Sequence, residues 1–150
     1  MYKKILVPLD GSEVAEAIVP HVEAVATPLQ AEIILLRVVP PSGVSPTTVQ
    51  EEDIEARSYL DKVAAGLRQK GIKTSSVVRY GQAAEEILDY AGVNSIDLIA
   101  MSTHGRGGVS RWVFGSVAEK VLRGTAIPIL LIRAPGVSAY GLPPMQEIEL

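Results

Sequence analysis

The sequence predicts an α/β domain, an open five-stranded parallel sheet with helices on both faces. Three observations carry that expectation. Short aliphatic runs alternate with stretches of helical periodicity along the whole chain, which is the rhythm of β-α-β units. Hydrophobic residues make up 47% of the chain but aromatic ones only 5%, so the core is built from Val, Ile, Leu and Ala, the composition of buried parallel strands. Finally, 150 residues is the length of one domain with one sizeable core.

The elements follow in order. Residues 5–9, 31–39, 74–78, 96–101 and 127–132 are aliphatic runs bounded by charge, Gly or Pro, and read as five strands. After the first, Val14, Ala17, Ile18, Val22 and Val25 recur at three- and four-residue spacing, a helix with Ser12 as N-cap and Pro28 beyond its end. Residues 40–50 are rich in Pro, Ser and Thr and read as a mobile surface loop. A second helix is expected over 51–70, with Ile54, Leu60, Val63, Ala64 and Leu67 on its apolar stripe. Glu51, Glu52 and Asp53 would then occupy its first turn and Gly71 its C-terminal cap, in keeping with the helix dipole. Shorter helices are expected over 83–91 and 116–123. Beyond 133 the periodicity is lost, so 1–133 reads as the domain and 134–150 as a Pro- and Gly-containing tail that wanders or docks on a neighbour.

Composition excludes several classes of function. With no cysteine, the chain has no disulfide scaffold, thiolate metal site or cysteine nucleophile. Fourteen basic residues face 17 acidic ones, a net charge of −3, and no basic patch suggests a nucleic-acid partner. Two of those acidic residues lie in 134–150 and none of the basic ones do, so the folded part is close to neutral. No apolar run approaches the ~20 residues of a membrane span, and the N-terminal run is cut off by charge and glycine before it resembles a signal peptide. The expectation is a soluble cytoplasmic protein with neither a nucleic-acid nor a membrane partner.

In an open parallel sheet, ligands bind outside the carboxyl ends of the strands, where strand order reverses. The loop after the first strand reads Pro8-Leu9-Asp10-Gly11-Ser12, and the fourth strand leads into Ser102-Thr103-His104-Gly105-Arg106-Gly107-Gly108, continuing to Gly115-Ser116. Glycines let backbone N–H groups approach an anion, and a helix beginning at Ser116 would offer unpaired N–H groups and the positive end of its dipole. Arg106 and Arg111 would add charge, or remain solvated. Neither the phosphate loop of ATPases nor the dinucleotide fingerprint is present: no Gly-Lys pair occurs, and the nearest Gly-x-Gly-x-x-Gly match follows the fourth strand and ends in Ser110.

Together, the opening Ile-Leu-Val-Pro-Leu-Asp-Gly-Ser, the Asp97 to Met101 strand, the His104-Gly105-Arg106-Gly107-Gly108 loop, Gly115-Ser116-Val117-Ala118-Glu119-Lys120 and the closing Ile127-Pro128-Ile129 resemble the universal stress protein family. The resemblance implies a Rossmann-like fold of the adenine nucleotide alpha-hydrolase type with strand order 3-2-1-4-5. In the family's ATP-binding branch the motif is Gly-x-x-Gly, nine residues, then Gly-Ser/Thr. Here Gly105 and Gly115-Ser116 fit, while Ser102 stands at the first glycine. A serine is tolerated there if its φ is ordinary and its side chain points away from the ligand.

By the same resemblance, Asp10 would hold the ribose or adenine end, and Pro8 and Val38 would line the base pocket. The backbones at Met101, Ser102, Gly105, Gly115, Ser116 and Val117 would hold ribose and phosphates, with Arg106 and Gly108 in the same loop. The implied ligand is ATP or AMP, with Mg2+ accompanying a triphosphate. The implied assembly is a homodimer through the last strand, near Ile129 to Ile132. Catalysis is not expected beyond weak ATP hydrolysis, and the rival reading is a nucleotide-independent adaptor contacting protein partners.

Each site residue also has a purely structural reading. Asp10 in Asp-Gly-Ser can close an Asx-turn. Ser116-x-x-Glu119 is a capping-box pattern. His104 has no orienting partner nearby in sequence, His21 falls on the apolar stripe of the first helix, and Trp112 reads as a packing anchor.

Overall fold

The computed structural model describes residues 1–41, 46–103 and 115–134. Five parallel strands, β1 (Lys4–Pro8), β2 (Glu32–Val39), β3 (Thr74–Tyr80), β4 (Leu98–Thr103) and β5 (Ile129–Arg133), form one sheet in the order β3-β2-β1-β4-β5. The expected fold class and strand order are those observed. Leu6 is paired with Ile34 on one side and Ile99 on the other, so β1 is the central strand.

Successive side chains of a strand leave opposite faces of the sheet, and the core divides accordingly. Ile5, Val7, Ile33, Leu35 and Ala100 pack on one face, under α1 (Glu13–Glu16), α2 (Val19–Leu29) and α3 (Pro46–Gln69). Leu6, Ile34, Leu36, Ile99 and Met101 pack on the other, under α4 (Ala83–Val93) and α5 (Ser116–Gly124). The aliphatic runs are therefore continuous in the sequence because both of their faces are covered. At the end of the sheet where β1 and β4 begin, Asp97 accepts the N–H groups of Lys3 and Lys4, each at 2.9 Å.

The helices correct the sequence reading at several points. The first expected helix is two: α1 stops at Glu16 and α2 starts at Val19. Pro20, at the start of α2, has no N–H to give to the Glu16 carbonyl, so the i→i−4 ladder cannot run through. Pro28 lies inside the last turn of α2, and the helix ends instead on Gln30, which takes the left-handed conformation at φ 52°. His21 is exposed, not packed on the apolar stripe.

α3 begins at Pro46, so half of the expected 40–50 loop is helical; proline suits a first turn, where its missing N–H costs nothing. Glu51, Glu52 and Asp53 consequently fall in the second turn, not the first. Asp53 is engaged there by Arg57 at 2.9 Å and by the Tyr80 hydroxyl, which donates to it. The buried stripe of α3 is Ala56, Leu60, Ala64 and Leu67, and Ile54 is 64% exposed on the opposite side. Ala134, assigned to the tail from sequence, is buried and donates its N–H to the Thr103 carbonyl at 3.1 Å. Residues 135–150 lie outside the described part. Among the described residues no helix is long and apolar enough to cross a membrane.

Candidate functional site

The carboxyl ends of β1, β2 and β4 meet the starts of α1, α4 and α5 around a cleft of about 240 Å³. This is the crevice where strand order reverses, since β1 is followed in sequence by β2 on one side and β4 lies on the other. Of the sequence-predicted site residues, Pro8, Asp10, Val38, Met101, Ser102, Gly115, Ser116 and Val117 all line it. Gly105, Arg106 and Gly108 lie outside the described residues, as do His104, Arg111 and Trp112.

Asp10 is held by its own turn. Its Oδ1 accepts from the Ser12 backbone N–H at 2.9 Å and the Ser12 hydroxyl at 2.5 Å, while that hydroxyl oxygen accepts the Ala15 N–H at 3.1 Å and caps α1. The Asx-turn and the N-cap expected from sequence are thus one chain of hydrogen bonds. It fixes the Asp10 carboxylate at the rim of the cleft by one oxygen, and no hydrogen bond to Oδ2 is made among the described residues.

Beneath this turn lies a charged cluster on the α3 side of the sheet. The Arg37 guanidinium makes two hydrogen bonds to Glu55, 3.0 and 2.8 Å, and stands 5.2 Å over the Tyr59 ring. The Tyr59 hydroxyl is buried. Burial, together with the Glu16 and Asp10 carboxylates, pushes its phenol well above the usual tyrosine range, and Arg37 only partly offsets them.

Ser102 sits in β4 with an ordinary extended φ, since the positive-φ residues other than glycine are Tyr2, Gln30 and Ser95 among the described residues. No strain attaches to serine here. Its hydroxyl donates to the Ala15 carbonyl at 3.3 Å, joining the end of β4 to α1.

Ser116 corrects the capping-box expectation. The N-cap of α5 is Gly115, whose carbonyl accepts the Glu119 N–H at 3.0 Å, and no side chain among the described residues caps the helix. Ser116 is the first helical residue, one position too late for its hydroxyl to reach the third N–H, and Glu119 pairs with Arg123 at 2.8 Å instead. Among the described residues the first N–H groups of α5 therefore have no side-chain cap, and they stand at the wall of the cleft formed by Gly115, Ser116, Val117 and Ala118. Such a wall can hold an anion.

The apolar part of the wall includes residues the sequence reading did not assign to the site: Val14 and Ala15 from α1, Leu36 from β2, and Ala83 and Ile87 from α4. Ile87 belongs to the buried face of α4 with Ala84 and Ala91, so its helical spacing was legible. What spacing does not show is that α4 lies over the end of β2, which makes a core residue also a cleft residue. Together the walls offer an apolar slot, a carboxylate at the rim and a helix start suited to negative charge.

The Universal stress protein family profile matches residues 1–133. A curated relative, universal stress protein MJ0531 of Methanocaldococcus jannaschii, is 32% identical over 143 residues, spanning 90% of this chain and 84% of its own length. The solved structure of MJ0577 from the same organism superposes with a TM-score of 0.76 at 32% identity, covering 89% of this chain and 96% of that one. A universal stress protein in complex with cAMP (TM-score 0.71, 17% identity, covering 89% and 98%) and the Archaeoglobus fulgidus protein in complex with dAMP (TM-score 0.69, 20% identity, covering 87% and 97%) share the fold. With the family profile matched over residues 1–133 and a relative 32% identical over most of both chains, the chain belongs to the universal stress protein family.

Proposed function

We propose that this protein is an adenine-nucleotide-binding regulatory protein of the stress-response type, with ATP or AMP in the cleft at the carboxyl ends of β1, β2 and β4. One observation carries the reading: the cleft joins an apolar slot to a helix start that no side chain among the described residues caps. The slot at Pro8, Leu36, Val38 and Ile87 suits the flat face of a purine, and the start of α5 suits phosphate. Asp10, at the rim, suits a base or sugar donor. Two relatives that share only the fold hold cAMP and dAMP, which is what such a cleft can accommodate.

Within this reading Gly105, Arg106 and Gly108 complete the phosphate side, and Mg2+ enters only on the oxygens of a bound triphosphate. Hydrolysis, where it occurs, is weak. The protein acts in the cytoplasm as a homodimer joined along β5, an edge strand whose residues Ile129 to Ile132 are half-buried in the single chain.

Titration of the purified protein with ATP, AMP and cAMP by calorimetry tests the reading. Saturable heat at micromolar ligand, lost in Gly115→Val, is expected; no heat at high micromolar ligand from folded protein overturns it. The edge strand also supports a second reading, a nucleotide-independent adaptor that meets protein partners along β5. Under that reading Gly115→Val leaves partner binding intact.

A further inference from the structure

We infer that Ser102 is a specificity-determining residue of the cleft, a hydrogen-bond acceptor that reads a pentose hydroxyl and so selects between ribonucleotides and their deoxy analogues. This rests on the nucleotide reading given above. A serine hydroxyl has one proton to donate and two lone pairs. In this structure the proton goes to the Ala15 carbonyl at 3.3 Å, and both Ala15 and Ser102 line the cleft. What Oγ can offer a ligand is therefore an acceptor.

While its proton is given to Ala15, the Ser102 oxygen favours an O–H donor over a phosphate oxygen, which points its side chain to the sugar. Its place in the sheet agrees. β4 lies between β1, whose end bears Pro8 and Asp10, and β5, and its end stands between the apolar slot over β2 and the start of α5. A nucleotide with its base in the slot and its phosphate at the helix start passes its sugar over Ser102. The ordinary φ of Ser102 means that the hydroxyl is present without backbone strain, and glycine at this position would offer no such group.

The test compares wild type, Ser102→Ala and Ser102→Gly, titrated calorimetrically with AMP, 2′-deoxy-AMP and 3′-deoxy-AMP. Wild type should prefer AMP over one of the deoxy analogues by about three- to tenfold more than either variant does, the worth of one hydrogen bond to a neutral group. Which analogue suffers identifies the hydroxyl. The glycine variant separates loss of the hydroxyl from any effect of the alanine methyl. If both variants bind AMP and keep the wild-type preference, the inference is overturned while nucleotide binding stands. If folded wild type binds none of the three ligands, the nucleotide reading fails and this inference goes with it.

Discussion

Gly11 rests against Arg37. A β-carbon at Gly11 would come within 3.2 Å of Nη1 of the guanidinium, and Gly11 itself has φ +88°. The turn that carries Asp10 is thus seated on a charged plate that Glu55 neutralises through both terminal nitrogens.

Gly11→Ala should destabilise the protein by about 1–2 kcal/mol, because alanine is strained at positive φ and its methyl presses on Arg37. Urea unfolding measures the change. Gly66→Ala is the control, since Gly66 lies within α3 with open space around it; there alanine should be neutral or stabilising.

Glu55→Gln should cost less than about 1 kcal/mol, because Glu55 is 61% exposed and its pair with Arg37 is screened by solvent. The difference from wild type should shrink toward zero in 1 M salt. Arg37→Met should cost more and respond less to salt, since the Arg37 side chain is only 16% exposed and loses its packing on Gly11 and Tyr59. Thermal unfolding at low and high salt distinguishes the two.

Tyr59 predicts a pH dependence. Its phenol titrates higher in the folded chain than in the unfolded one, so above about pH 10 the unfolded state has lost a proton that the folded state retains. Stability contributed by this group is complete below that pH and is lost as pH rises toward the folded pKa. Tyr59→Phe should flatten the decline of Tm between pH 9 and pH 11, because it removes the group that titrates differently in the folded and unfolded chains.

Ser12→Ala should cost about 1 kcal/mol through loss of the α1 cap, and should also weaken nucleotide binding, because the same hydroxyl holds Asp10. Unfolding and calorimetry on one preparation read both effects.

The two sides of α3 give a paired test. Leu60→Ala should cost about 2–5 kcal/mol, since Leu60 is fully buried, while Ile54→Ala should fall within about 0.5 kcal/mol of wild type. Equal costs would mean that α3 packs on the stripe the sequence alone suggested.

The sheet was legible because its residues are local. Val7, Leu35 and Ile99 lie in unbroken aliphatic runs that only a strand covered on both faces requires, and the crossover rule leaves few ways to connect such strands. The turn after β1 was legible for a related reason, since Asp-Gly-Ser supplies the Asx-turn, the positive φ and the N-cap that join a strand to a helix start. Pro20, by contrast, was read as part of one continuous helix, and Ile54 was placed on a stripe whose other members, Leu60, Val63, Ala64 and Leu67, do face the core.

By itself the sequence determined the strands, the strand-helix alternation and the end of the sheet that bears the cleft, because hydrophobic period and chain chirality act over a few residues. Only the tertiary structure decided that Ser116 is a first helical residue without a capping role, that Arg37 seats Gly11, and that Ser102 gives its proton to Ala15. Ala15 and Ser102 are 87 residues apart in the chain. Whether such groups meet depends on how helices settle on the sheet, and that is set by side-chain packing across the whole core, which no local pattern encodes.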